Sequence, residues 1–417
     1  MGFPKGRRRV VLVAAVLLVA VAVAATVWRV LAPAEVSTPA RAAYPDAPNP
    51  DPRVVARLPV APLVVDGRLR VYAAQRQVYA DRPVDHRYRT TPYWSYRRWP
   101  AELAGVVASG TTVVSRWSDG LLVALDARTG RVAWRAEGSV PARMPATRRT
   151  GSARVWNPEG LFVAVIAGGG SVVVAAGGDA LTAVDLADGR RRWDAGVGTG
   201  CHDAIGTTAG GRLVSVDRCD GPATVEFRDV ATGTVGTRWR PPGVGDALVA
   251  TPLGCRTGRS GCAGLRTVAG SGDDAGRGWL LGDGEPTAAP ALDRPDSVLA
   301  ADTAIGMAGE ALVGRDARTG VERWRRDVSG ARVLAVEPDR VHLVTDANGL
   351  RTLDAATGSQ RSWFTLTAGS DGTSWAPGAA YAVDGYVAVE RLREPVDAEA
   401  DDQRYFFTSE PVLLAAT

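Results

Sequence analysis

The 417 residues hold 46% apolar and 23% charged side chains, an ordinary globular balance with enough chain for one large core or two to three smaller ones. One lysine stands against 48 arginines, and Ile, Met and Asn occur three times each, the mark of a GC-rich coding sequence rather than of an arginine-specific task. The net +4 is local: Lys5, Arg7, Arg8, Arg9 and Arg29 put +5 in the first 34 residues and the rest sums to −1, which excludes the broad positive field that nucleic-acid binding needs.

Arg7-Arg8-Arg9 precedes an uninterrupted apolar run from Val10 to Val27, closed by Trp28 and Arg29. Eighteen residues at a rise of 1.5 Å make about 27 Å of helix, close to the roughly 30 Å hydrocarbon core. Residues 1–31 therefore read as a basic cytoplasmic tail and one membrane-spanning signal anchor, with everything after it outside the cytoplasm. The competing reading is a cleaved signal peptide with small-residue exits at Ala32-Pro33-Ala34 or Ala40-Arg41-Ala42. Residues 32–62 carry eight prolines, a density that prevents a helix and predicts an extended stalk.

From residue 63 onward the chain repeats itself. Asp126…Gly130…Trp134 and Asp185…Gly189…Trp193 share one spacing, as does Asp316…Gly320…Trp324. Asp229…Gly233…Trp239 has its tryptophan two residues late, and Asp354…Gly358…Trp363 one residue late. A degenerate copy runs Asp273…Gly276…Trp279. Successive aspartates lie 59, 44, 44, 43 and 38 residues apart, the first interval lengthened by an insertion over residues 138–160.

Each unit has hairpin chemistry. Short apolar runs such as Ser171–Ala175 and Leu121–Leu125 read as strands bounded by Gly, Asp and Asn. The aspartate can accept from backbone N–H groups ahead of it, and the glycine supplies a left-handed residue. Four short strands per 40–45 residues, apolar on both faces, predict an all-β propeller over residues 63–417. The arithmetic favours about seven four-stranded blades, with eight the alternative if residues 54–80 form a unit of their own. The last blade is expected from Ala379–Arg391, Tyr405–Thr408 and Pro411–Ala416, with Pro62–Val65 and Arg68–Ala73 pairing onto it to close the ring.

The unit Leu122-Val-Ala-Leu-Asp126-Ala-Arg-Thr-Gly130-Arg-Val-Ala-Trp134 resembles the PQQ-like β-propeller repeat, directly over about residues 100–366. The resemblance implies the fold. It is silent on function, because the same repeat builds quinoprotein dehydrogenases, kinase sensor domains and the scaffold lipoprotein of outer-membrane protein assembly. The dehydrogenases carry an adjacent-cysteine disulfide, calcium ligands and a catalytic aspartate. No residue here maps onto those motifs, so PQQ and calcium are not supported and no catalytic, cofactor or metal residue is assigned.

Four cysteines outside the cytoplasm predict two local disulfides, Cys201 with Cys219 and Cys255 with Cys262. His86, His202 and His342 lack metal-ligand spacing, and Gly168-Gly169-Gly170 and Gly177-Gly178 read as hairpin turns rather than phosphate loops. The acidic stretch 397–402 is expected to be a solvated loop, with calcium as its alternative. The densest unusual segment ends in Tyr93, Trp94, Tyr96, Arg97, Arg98 and Trp99, where arginines alternate with aromatics; it is a candidate partner-binding patch unless it packs against a blade. The expected function is a non-catalytic, membrane-anchored, monomeric scaffold for a protein or cell-envelope ligand. The alternatives are a quinone- and calcium-dependent oxidoreductase with a reduced active site, or an extracellular sensor or cell-wall-binding domain.

Overall fold

The computed structural model describes residues 5–31, 34–145, 149–243, 247–269, 276–367, 375–394, 407 and 409–417. A helix over Lys5–Leu31 comes first, and within it Leu12–Arg29 has a mean hydropathy of 2.3 with no side chain buried in the protein. This is the one helix among the described residues long and apolar enough to cross a membrane. Apart from the short helix Ser152–Val155 and the single 3-10 turns Thr257–Arg259 and Pro290–Leu292, every other element is a strand.

Eight antiparallel sheets follow, making an eight-bladed propeller. Blade 1 spans residues 63–99, blade 2 103–137, blade 3 161–196, blade 4 202–239, blade 5 248–288, blade 6 298–327 and blade 7 331–365. Blade 8 takes three strands from Ala376–Val383, Tyr386–Leu392 and Val412–Ala416, and its outermost strand, Arg53–Leu58, from the other end of the chain. That pairing closes the ring and leaves no free edge between its first and last blades.

Burial explains the sequence pattern. Inner and middle strands are covered on both faces by neighbouring blades, so Val172–Ala175 is an unbroken buried run. Outer strands meet solvent on one side and alternate, as in Arg191–Gly196, where Trp193 is buried between exposed residues.

The Asp-to-Gly turns work as expected. Asp316 Oδ1 accepts from the backbone N–H groups of Arg318 (3.0 Å) and Thr319 (2.7 Å), and Asp354 does the same for Ala356 (3.1 Å) and Thr357 (2.9 Å). Gly130, Gly189, Gly233, Gly320 and Gly358 all have φ between 67° and 76°. The tryptophan then reaches the next blade. Trp134 Nε1–H donates to Leu186 O (2.9 Å), Trp193 to Val230 O (2.8 Å) and Trp324 to Ala355 O (3.0 Å). Each indole lies where a Cβ on Gly189, Gly233 or Gly358 would clash with it. The repeat is therefore a two-part joint, in which the tryptophan of one blade seats on the glycine of the following turn.

Several expectations need correction. The ring has eight blades, the count given as the alternative. Pro62–Val65 and Arg68–Ala73 do not pair with the last blade: Leu63–Val65 and Leu69–Ala74 are the two inner strands of blade 1. The proline-rich segment predicted as a stalk runs along the ring, where Ala34–Thr38 adds a fifth strand to blade 1 and Arg53–Leu58 completes blade 8. Proline blocks helix but tolerates the edge positions this segment occupies. Trp363 is 55% exposed rather than a blade-filling residue, because one residue of delay reverses strand parity and puts Ser362 on the buried side. Asp273 and the stretch 397–402 lie outside the described residues.

Candidate functional site

The insertion over residues 138–160 ends on the ring axis. Buried Arg116 pins both of its ends, donating to Ser139 O (2.7 Å) and Gly160 O (2.7 Å), and also to Ala176 O (2.8 Å) of blade 3. Burial lowers the Arg116 pKa to about 10, offset only in part by the charge of Glu159. Further along, the Thr150 hydroxyl and the Ser152 hydroxyl (2.7 Å) donate to the buried carboxylate of Glu390 in blade 8.

These contacts set Trp156 among three blades. Its Nε1–H donates to Pro62 O (2.8 Å), its ring stacks on Tyr381 of blade 8 at 5.8 Å and 9°, and its carbonyl accepts from Gly258 N–H (3.3 Å) of blade 5. Gly258 lies in the loop closed by Cys255–Cys262 and has φ 67°, a conformation that suits glycine. Blades 5 and 8 are not neighbours in an eight-membered ring, so these contacts reach across it.

Beside these contacts lies a cavity of about 840 Å³, walled by the ends of inner strands from seven blades. Val64, Val107, Val163, Val165 and Val336 supply its apolar wall. Its charged groups are Asp66, Glu337, Asp384 and Arg256, joined by the phenol of Tyr381 and the hydroxyls of Ser109, Thr208, Thr257 and Ser260. Asp66 (φ 56°) and Asp384 (φ 51°) each precede a positive-φ glycine in a tight hairpin turn, which is why the two aspartates arrive side by side from adjacent blades. Asp66 accepts from Tyr44 Oη at 3.1 Å and faces Arg68 Nε at 3.4 Å, while Glu337 Oε2 lies 3.1 Å from His342 Nε2. The Asp384 carboxyl is pushed up by desolvation and further by the charges of Glu337 and Asp66. Burial holds the Tyr381 phenol well above its ordinary range, so it is neutral at physiological pH.

The arginine–aromatic segment lies elsewhere. Trp94–Trp99 is the fourth strand of blade 1, and Trp94, fully buried, donates to Ala127 O (2.8 Å) and seats on Gly130. It is the repeat tryptophan of blade 1 without the preceding Asp-to-Gly turn. Tyr93 and Tyr96 are buried too, and Arg98 is 7% exposed with both terminal nitrogens on Asp119 at 2.9 Å. Only Arg97 and Trp99 face solvent, Trp99 beneath the Arg76 guanidinium at 4.1 Å. The structure thus gives Tyr93, Trp94, Tyr96 and Arg98 packing positions, and the six residues form no common surface.

Both local disulfides are formed, Cys201–Cys219 and Cys255–Cys262. His202 is buried in blade 4 with Nε2 3.7 Å from Glu226, whose carboxyl is held down to about 2: its own burial opposes ionisation, and His202 and Arg228 outweigh that. Gly168, Gly169 and Gly170 all have positive φ in a strand-connecting turn. Among the described residues no group of three or more His, Cys, Asp or Glu side chains could hold a metal. PQQ carries three carboxylates, and Arg256 is the single cation among the cavity's lining residues against Asp66, Glu337 and Asp384. That charge balance does not suit the quinone. Sequence reasoning overlooked the cavity residues, although the dipeptides Asp66-Gly67 and Asp384-Gly385 between apolar runs signal hairpins.

A family model described as outer membrane protein assembly factor BamB matches residues 298–393, which begin with blade 6 and end after the second strand of blade 8. Over those residues the chain is similar to the PQQ-like repeat, and the whole described ring is an eight-bladed propeller. Solved structures similar to this chain include BamB from Moraxella catarrhalis, at 14% identity and a TM-score of 0.43 over 88% of this chain and 99% of that one. The quinohemoprotein alcohol dehydrogenase ADHIIG from Pseudomonas putida HK5 is similar at 14% identity and TM-score 0.40, over 82% and 72%. The quinohemoprotein alcohol dehydrogenase from Comamonas testosteroni is similar at 13% and 0.39, over 87% and 74%. No curated protein matches in sequence.

Proposed function

We propose that this PQQ-like propeller is a non-catalytic binding scaffold, held at a membrane by its N-terminal helix with the ring on the extracytoplasmic side. The observation that carries the reading is the axial cavity, a concave space with an aliphatic wall and a few convergent polar groups. The basic flank of the helix and the two disulfides support the placement.

The test uses the full chain in its native membrane. Cross-linking followed by purification is expected to recover a defined envelope component, and Val165→Trp, which fills the cavity from a side chain already 53% exposed, should reduce that recovery severalfold. Saturable absorbance changes on adding PQQ and calcium, together with dye-linked alcohol or sugar oxidation, would overturn the reading.

A further inference from the structure

The aliphatic wall of the cavity explains its volume but not its polar end. Two carboxylates there are already engaged from behind, Asp66 by Tyr44 and Arg68 and Glu337 by His342. Among the described residues Asp384 has no arginine or lysine partner; Gly67 N–H donates to it, and the charges that act on it are those of Glu337 and Asp66, both negative. Tyr381, 6% exposed, lines the same cavity, and among the described residues its hydroxyl makes no hydrogen bond of full geometry, although the Thr257 side chain and the Val64 backbone lie close enough to act on it. The face of its ring is covered by Trp156, so only the hydroxyl is left for a ligand. A buried hydroxyl short of a full hydrogen bond is costly unless something completes it.

We infer that the polar end of the cavity binds a primary ammonium group, with Asp384 as its counter-ion, Asp66 and Glu337 completing the negative field, and the Tyr381 hydroxyl accepting one N–H. An ammonium has three donors and no acceptor, which matches a site whose polar end gathers carboxylate oxygens beside a phenol oxygen. Arg256 comes from blade 5, whereas the three carboxylates come from blades 1, 7 and 8, so the field is negative on their side of the ring. Free diamines and polyamines carry this group, and so does the lysine side chain of a protein partner. The inference rests on the binding-scaffold reading and specifies what that site recognises.

Calorimetric titration of the detergent-solubilised full chain with spermidine, with an acetylated lysine-containing peptide amide, and with citrate tests it. Saturable binding of spermidine or of the peptide is expected, and which of the two binds more tightly identifies the source of the amine. The double variant Asp66→Asn/Asp384→Asn should weaken binding at least tenfold, and Tyr381→Phe a few-fold. Asparagine tolerates the positive φ at both turns, and an unchanged unfolding midpoint confirms that the ring is intact. Raising the salt concentration should weaken spermidine binding further. Failure of both amines to bind, tighter binding of citrate, or amine binding unaffected by the double variant would each overturn the inference. If amine binding fails while the envelope component is still captured, only this inference falls. If amines bind while PQQ and calcium support turnover, the scaffold reading falls instead.

Discussion

Blades 6 and 7 have nearly the same turn and opposite fates for the tryptophan that follows it. Trp324 comes four residues after Gly320, is 7% exposed and seats on Gly358 of the next blade. Trp363 comes five residues after Gly358 and is 55% exposed. Blade 4 supplies the control: Trp239 comes six residues after Gly233 and is again 7% exposed, packed edge-on against Trp279 at 4.7 Å. A strand alternates faces with period two, so a delay of two preserves the buried side and a delay of one reverses it. The core between blades 7 and 8 is filled from elsewhere, by Trp375 with Leu350, Leu366 and Val387.

The largest effect expected from this comparison is in the tryptophans themselves. Trp324→Ala removes a buried indole and its hydrogen bond to Ala355 and should cost about 3–5 kcal/mol. Trp363→Ala should cost about 0.5 kcal/mol or less, as for other exposed positions. Urea unfolding of the two variants side by side measures the gap, and equal losses would break the parity argument.

A smaller gap is expected between two glycines of the same turn type. Gly358 (φ 67°) has the Trp324 ring 2.6 Å from where a Cβ would stand, whereas Gly320 (φ 73°) has nothing within 4 Å. Both alanine variants bear the left-handed backbone cost of about 1–2 kcal/mol. Gly358→Ala should add about 1–3 kcal/mol of overpacking against Trp324. The Gly320 position is open because the blade before it does not use the joint: Trp279 donates to Thr267 of its own blade, and Leu292 with Ala289 packs in the core shared by blades 5 and 6.

The same contrast shows what the sequence can reveal. The turns were legible because their chemistry is local: an aspartate accepts from the next few N–H groups and a glycine takes positive φ. The propeller was legible from their period. That Trp94 belongs to the joint was not legible because its blade reaches the joint without an Asp-to-Gly turn; between Asp81 and Trp94 lies an irregular segment, and only the contact with Gly130 identifies the tryptophan's role. The two disulfides were legible from spacing. The cavity was not, because Asp66, Glu337, Tyr381 and Asp384 are brought together by ring closure, and Asp66 and Asp384 are 318 positions apart in the chain. The stalk was misread because proline density reports the absence of helix and says nothing about whether an extended segment joins a sheet.

The smallest expected effect separates the turn from the joint. Asp316 is held down to about 2 by the backbone and hydroxyl of Thr319 and by Arg323, and Asp354 to about 2 by Arg361 and the hydroxyl and backbone of Thr357. Arg323 also reaches Asp302 (2.7 Å) and Arg361 reaches Asp339 (2.7 Å), so the two blades carry the same charge network. An unfolded aspartate titrates near 3.9. The folded groups titrate lower, so their contribution is present above about pH 4 and is lost as the pH falls from there through about 2. Asp316→Asn and Asp354→Asn keep an oxygen that can accept from the turn and remove the charge. Each should lower the urea midpoint at pH 7 by the same small amount and flatten its decline between pH 4 and pH 2. Equal effects from the two aspartates, beside unequal effects from Trp324 and Trp363, locate the difference between the blades in strand parity after the glycine. A larger loss for Asp316→Asn would instead place part of that difference in the turn itself.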